Sequence, residues 1–195
     1  AMPFTGNIPL RNLRSVYRRI RASRVPLLAG EMFLGITDCL IGTWRALCVY
    51  AHAPDFSTTP FAGIVVTSLA KYWWKQSALE TVNYQIWRRV PRRMAERGFQ
   101  PETVLKWYEN QPLDKAVVLG FQLDCRCTSV IAVRQYFPAF GVVNFFSTPG
   151  EIEAGASPKI NWVCGRRIAG LFARHDDRGI YKVVPALRYA HLFEL

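Results

Sequence analysis

Residues 25–50 constrain this chain most: an apolar run long enough to cross a bilayer, interrupted only by Glu31, Asp38 and Arg45. The three charges recur every seven residues. Seven residues are nearly two helical turns, so on one continuous helix all three fall on a single narrow stripe. In a lone membrane span each charge costs about 2.5–3.5 kcal/mol, while each aliphatic residue returns only about 0.3–0.6 kcal/mol. The segment is therefore not expected to insert unaided. Two environments remain: a core helix with one wet edge, or a membrane-facing helix whose polar stripe turns inward to partner proteins.

Charge is segregated around this run. Of the 195 residues, 25 are Lys or Arg and 14 are Asp or Glu, a formal net charge of +11. Arg11, Arg14, Arg18, Arg19, Arg21 and Arg24 precede the first acid, Glu31, and Arg88, Arg89, Arg92, Arg93 and Arg97 surround Val90-Pro91. Such clusters point to an anionic partner: lipid headgroups, RNA or an acidic subunit surface. The contacts with phosphate or partner are assigned to Arg11, Arg14, Arg18, Arg21, Arg88, Arg89, Arg92 and Arg93. Glu80 and Glu96 are too few to neutralise both clusters, so countercharge is expected from outside the chain.

Helical periodicity places Leu10, Leu13, Tyr17 and Ile20 on one face of a helix near 10–24, with the arginines on another. Arg-rich, acid-free and sprinkled with Ser, this segment has the composition of a mitochondrial transit peptide or an interfacial amphipathic helix. It has no secretory signal character. Further helices are expected near 27–50, 61–90 and 101–110. Trp73, Trp74 and Trp87, beside Lys71, Lys75 and Arg88, would mark the headgroup level of a membrane or pack in a core. From Lys115 apolar side chains occupy odd positions through Val133, which predicts a strand. Residues 147–158 read as a loop, 159–164 as a strand, and 167–174 with 180–184 as a hairpin. The fold class is α+β: a basic arm (1–26), a helical region (27–112) and a β-rich lobe (113–195).

The chain carries no Gly-rich phosphate loop and no nucleophile elbow. His175 beside Asp176 and Asp177 has the makings of an acid–base pair but sits in an expected turn. Cys125, Cys127 and Cys164 lack the four-ligand spacing of structural zinc, and five cysteines without regular spacing do not form a disulfide framework. The expectation is a non-catalytic accessory subunit without metal or cofactor. Its setting would be a mitochondrial inner-membrane complex, a respiratory complex or the ATP synthase, with other subunits and anionic lipid as partners. The alternative is a soluble RNA-binding component such as a mitochondrial ribosomal protein.

Overall fold

A computed structural model describes residues 18, 22, 30–56, 60–61, 64–135 and 145–186. The expected helix near 10–24 lies outside the described residues, apart from the exposed Arg18 and Ala22. A 3-10 turn, Gly30–Phe33, precedes helix α1, Ile36–Ala51. Two short antiparallel strands follow, β1 (Pro60–Phe61) and β2 (Ile64–Val65), then helix α2, Thr67–Trp87. Helix α3 (Val90–Glu96) carries Pro91 in its first turn, where a missing N–H costs nothing. Pro91 thus restarts a helix after the break at Arg88–Arg89, where the sequence placed only an end.

The second half alternates strand and helix: β3 (Thr103–Trp107), α4 (Pro112–Asp124), β4 (Ser129–Arg134), α5 (Pro149–Glu153), β5 (Ile160–Val163), α6 (Arg166–His175) and β6 (Ile180–Val183). The four long-range strands form one parallel sheet in the order β3-β4-β5-β6. The α+β class holds, with a helical first half and a strand-rich second half. Several elements differ from expectation. Residues 103–107 form a strand where a helix was expected over 101–110, and residues 112–124 form a helix where the alternation predicted a strand. The expected hairpin over 167–184 is a helix followed by a parallel strand.

The reason is visible in the packing. Helix α4 buries Val118, Phe121 and, at its end, Cys125 against Val130 and Ala132 of β4, an i, i+3, i+7 set. Asp114 in its first turn accepts the Gln111 N–H at 3.3 Å and the Glu109 N–H at 2.9 Å, satisfying donors the helix start leaves open. Helix α6 seats Ile168 and Phe172 on Val163 and Tyr181. Arg134 pairs in register with Val163, so Val130, Ala132, Arg134 and Val163 share one face. Both helices therefore cover the same face. On the other lie Leu105, Trp107 and Ile180, 55%, 39% and 53% exposed, and no described helix covers them.

Candidate functional site

Helices α1 and α2 run antiparallel and carry the groups singled out by the sequence. Asp38, in the first turn of α1, is fully buried. Its carboxylate caps the helix by accepting the Gly35 N–H at 2.9 Å. It also accepts Arg89 Nε at 2.6 Å and Arg93 Nε at 2.9 Å. Burial works to raise the Asp38 pKa, but the hydrogen bonds from Arg93, Arg89 and Gly35 outweigh it and hold the group at about 2. Arg93 reaches Glu96 at 2.6 Å and Arg92 pairs with Glu96 at 2.9 Å on the surface of α3. Arg97 donates to the Met32 carbonyl at 2.7 Å.

The second arginine cluster thus has internal countercharge that the sequence did not reveal. Arg89 is buried and held by Asp38, so it is closed to an outside phosphate. Arg93 and Arg92 are engaged by Asp38 and Glu96, which leaves Arg88 and Arg97 as the members without an ion pair among the described residues, Arg97 bonding to backbone carbonyls instead. Arg11, Arg14 and Arg21 lie outside the described residues; Arg18 is exposed. The expected stripe is split. Glu31 belongs to the 3-10 turn and is exposed, because Gly35 breaks the helix before Asp38. Asp38 and Arg45 do share the inner side of α1.

The outer side of α1 is the unexpected surface. Ile36, Leu40, Trp44 and Leu47 are 81%, 64%, 67% and 49% exposed and recur at helical spacing along one face. The only charges in α1, Asp38 and Arg45, lie on the opposite side. Sixteen residues extend about 24 Å, so this is a long uncharged stripe. Around the far end of the hairpin, Ile64, Val65, Leu69, Tyr72 and Trp73 are also exposed. Of the three tryptophans expected at an interface, only Trp73 faces outward. Trp74 is half-buried and donates to the Val49 carbonyl at 3.0 Å, and Trp87 fills the space left by Gly30. No described helix is long and apolar enough to cross a membrane.

A second polar assembly, absent from the sequence reading, sits at the carboxyl ends of the strands. Arg134 is 1% exposed and lies between the rings of Tyr108 and Phe172, at 4.6 Å and 4.8 Å. Its Nε donates to Asn161 Oδ1 at 2.9 Å and its Nη1 to the Phe145 carbonyl at 3.0 Å. Tyr108 donates to Asn110 Oδ1 at 2.9 Å, and Ser147 and Ser157 meet at 2.9 Å. Burial pushes the Tyr108 phenol up, and burial with the Asp176 charge pushes Tyr181 up to about 12. Every one of these polar groups is consumed by another, as in a structural network. Sequence offered no signal for it, since Arg134 occupied an even position expected to face water.

His175 packs against Phe146 with the rings tilted and their centroids 4.1 Å apart, while Asp176 accepts from the Arg178 N–H at 3.1 Å and the Tyr181 hydroxyl at 3.3 Å. Cys125 and Cys127 lie at the end of α4 and in the turn after it, not on a strand. Burial raises the Cys125 pKa, and its thiol donates to the Pro91 carbonyl at 3.4 Å. Beside it, Pro101, Glu102, Asp124, Arg126 and Thr128 line a cleft of about 380 Å³. Among the described residues no three His, Cys, Asp or Glu side chains gather as a metal site. Compared with known proteins, no family model, curated protein or solved structure matches the chain.

Proposed function

We propose that this chain is a non-catalytic accessory subunit that seats itself in a large assembly through the outer face of α1. One observation carries the reading: Ile36, Leu40, Trp44 and Leu47 form an uncharged stripe open to solvent along the outer side of α1. Isolated exposed apolar residues are ordinary, but a contiguous apolar face marks a surface that is covered in use. The Arg-rich, acid-free start of the chain favours a mitochondrial inner-membrane complex, a respiratory complex or the ATP synthase, with anionic headgroups near the arginines. The engaged state of His175 and Asp176 supports a non-catalytic role.

The test is a Leu40→Glu/Trp44→Glu double variant. Both side chains are exposed, so the isolated protein should keep its melting behaviour to within about 0.5 kcal/mol. In cells the variant should leave the high-molecular-weight fraction in a sedimentation gradient. Co-sedimentation equal to wild type would overturn the docking face. Wild-type protein that is freed by carbonate yet travels with ribosomal RNA would replace the membrane complex with the RNA-binding alternative.

A further inference from the structure

At the far end of the hairpin, Ile64 and Val65 of β2 and Leu69, Tyr72 and Trp73 of the first two turns of α2 are 55–71% exposed. At that exposure they stand out from the surface instead of lining a recess. With about 100° between successive residues, Leu69, Tyr72 and Trp73 fall within one arc of roughly 100° on α2. Lys71 and Lys75, both exposed and one turn apart, form a row along the flank of that arc. Residues 56–79 contain these two lysines and no acid. Asp55 precedes them, and the balance over 55–79 is still positive. Glu80 shares the side of Leu69 but lies about 16 Å further along the axis, where the patch ends. The tip is held from beneath. Trp74 donates to the Val49 carbonyl at 3.0 Å and packs on Phe56 with centroids 6.0 Å apart, while Thr67 Oγ1 donates to the Phe56 carbonyl at 2.7 Å. With Trp74 turned inward, Trp73 is turned out and meets Tyr72 edge to face, centroids 5.9 Å apart.

Aliphatic groups, amphipathic rings and a lysine flank together match the chemistry of a lipid headgroup layer. Tyr and Trp set an apolar body and a polar tip at such a boundary, and lysine stems lie along apolar surface while their ammonium groups reach phosphates. RNA would use the two rings and the lysines, but Ile64, Val65 and Leu69 neither stack on bases nor pair with phosphate. A second copy docked tip to tip would set lysines against lysines. No described helix is long and apolar enough to cross a bilayer, so these groups suit entry into a single leaflet.

We propose that the far end of the hairpin seats in an anionic lipid surface, with Ile64, Val65, Leu69, Tyr72 and Trp73 entering the headgroup boundary and Lys71 and Lys75 pairing with lipid phosphates. This rests on the membrane setting proposed above but uses a different surface from the outer α1 face. The test is flotation of the isolated full chain with phosphatidylcholine vesicles containing or lacking phosphatidylglycerol. Quenching of tryptophan fluorescence by brominated phosphatidylcholine in the same vesicles reads insertion directly.

Wild type should float with the anionic vesicles, and raised salt should weaken its binding. Tyr72→Ser/Trp73→Ser and Lys71→Glu/Lys75→Glu should each weaken apparent partitioning at least about tenfold. Trp73→Phe should keep flotation and lose most of the quenching. Leu105→Ser, which removes a comparably exposed side chain from the bare sheet face, should change neither readout. All these side chains are exposed, and unchanged thermal melting verifies that each variant folds. The proposal is overturned if wild type floats with neither vesicle, if it binds only an RNA oligonucleotide, or if it forms a dimer that Tyr72→Ser/Trp73→Ser dissociates and does not float. It is equally overturned if Leu105→Ser weakens flotation as much as the tip variants, since the effect would then be general stickiness. Flotation lost in the tip variants supports the tip even where Leu40→Glu/Trp44→Glu assembles normally. A chain that sediments with its membrane complex but never floats alone overturns the tip and leaves the setting standing.

Discussion

Asp38 shows how much one side chain can organise. It caps α1, joins α1 to α3 through Arg93, and holds Arg89 at the break between α2 and α3. Replacing it with Asn leaves Arg89 buried without a counterion, and breaking such a pair typically costs about 3–5 kcal/mol. Chemical denaturation of Asp38→Asn at neutral pH should show a loss of that order; a loss below ~1 kcal/mol would mean the pair is not a keystone. The same residue sets a pH dependence. Its folded pKa of about 2 lies below the unfolded carboxyl value, so its contribution is fully present above about pH 4. It is lost as pH falls from about 4 to 2, on the order of 2 kcal/mol. Wild type should lose this increment in acid titration, and Asp38→Asn should lack it.

At the scale of elements, helix contacts depend on two glycines with ordinary backbone angles but no room for a side chain. A Cβ on Gly42 would press on Ile86 at 2.5 Å, and one on Gly120 would collide with the Arg88 carbonyl and meet Pro91 at 3.0 Å. Helix propensity alone favours Ala over Gly by about 1 kcal/mol, so a rise in stability would follow if space were free. Crowding is expected to win, especially at Gly120, where the clash is with backbone. Gly42→Ala and Gly120→Ala should each lower stability by about 1–3 kcal/mol in urea denaturation. A gain in either variant would show that the helices separate easily. The α1–α2 seam was partly legible in the sequence, because Asp38 and Arg45 share a helical face; that Gly35 detaches Glu31 was not. Helix α4 was illegible from periodicity. Its apolar residues at 117, 119, 121 and 123 fit alternation, yet the buried face is set by Val118, Phe121 and Cys125, which only contact with β4 selects.

Across the whole molecule, stability should be uneven. Strands β4 and β5 are interior strands of the sheet, whereas the far end of the hairpin exposes Ile64, Val65, Leu69 and Trp73. Native-state hydrogen exchange should therefore protect amides of Ala132 and Val163 most strongly and those around Val65–Leu69 least. Equal protection at both places would imply that hairpin and sheet unfold as one unit. If the outer α1 face docks as proposed, partner binding should slow exchange along α1 without changing β4.

By itself the sequence determined the class of the fold, the shared helical face of Asp38 and Arg45 and the reservoir of positive charge. These follow from composition and local spacing, which the chain carries wherever it goes. Only the tertiary structure decided which charges are satisfied. Asp38 meets Arg89 and Arg93 across more than fifty residues, and Arg134 is enclosed by Tyr108 and Phe172 from separate elements. It also decided between strand and helix over 101–124, where short-range patterns were nearly degenerate. Parallel strands pair only through long crossovers, so their partners are distant and leave no mark in a local window.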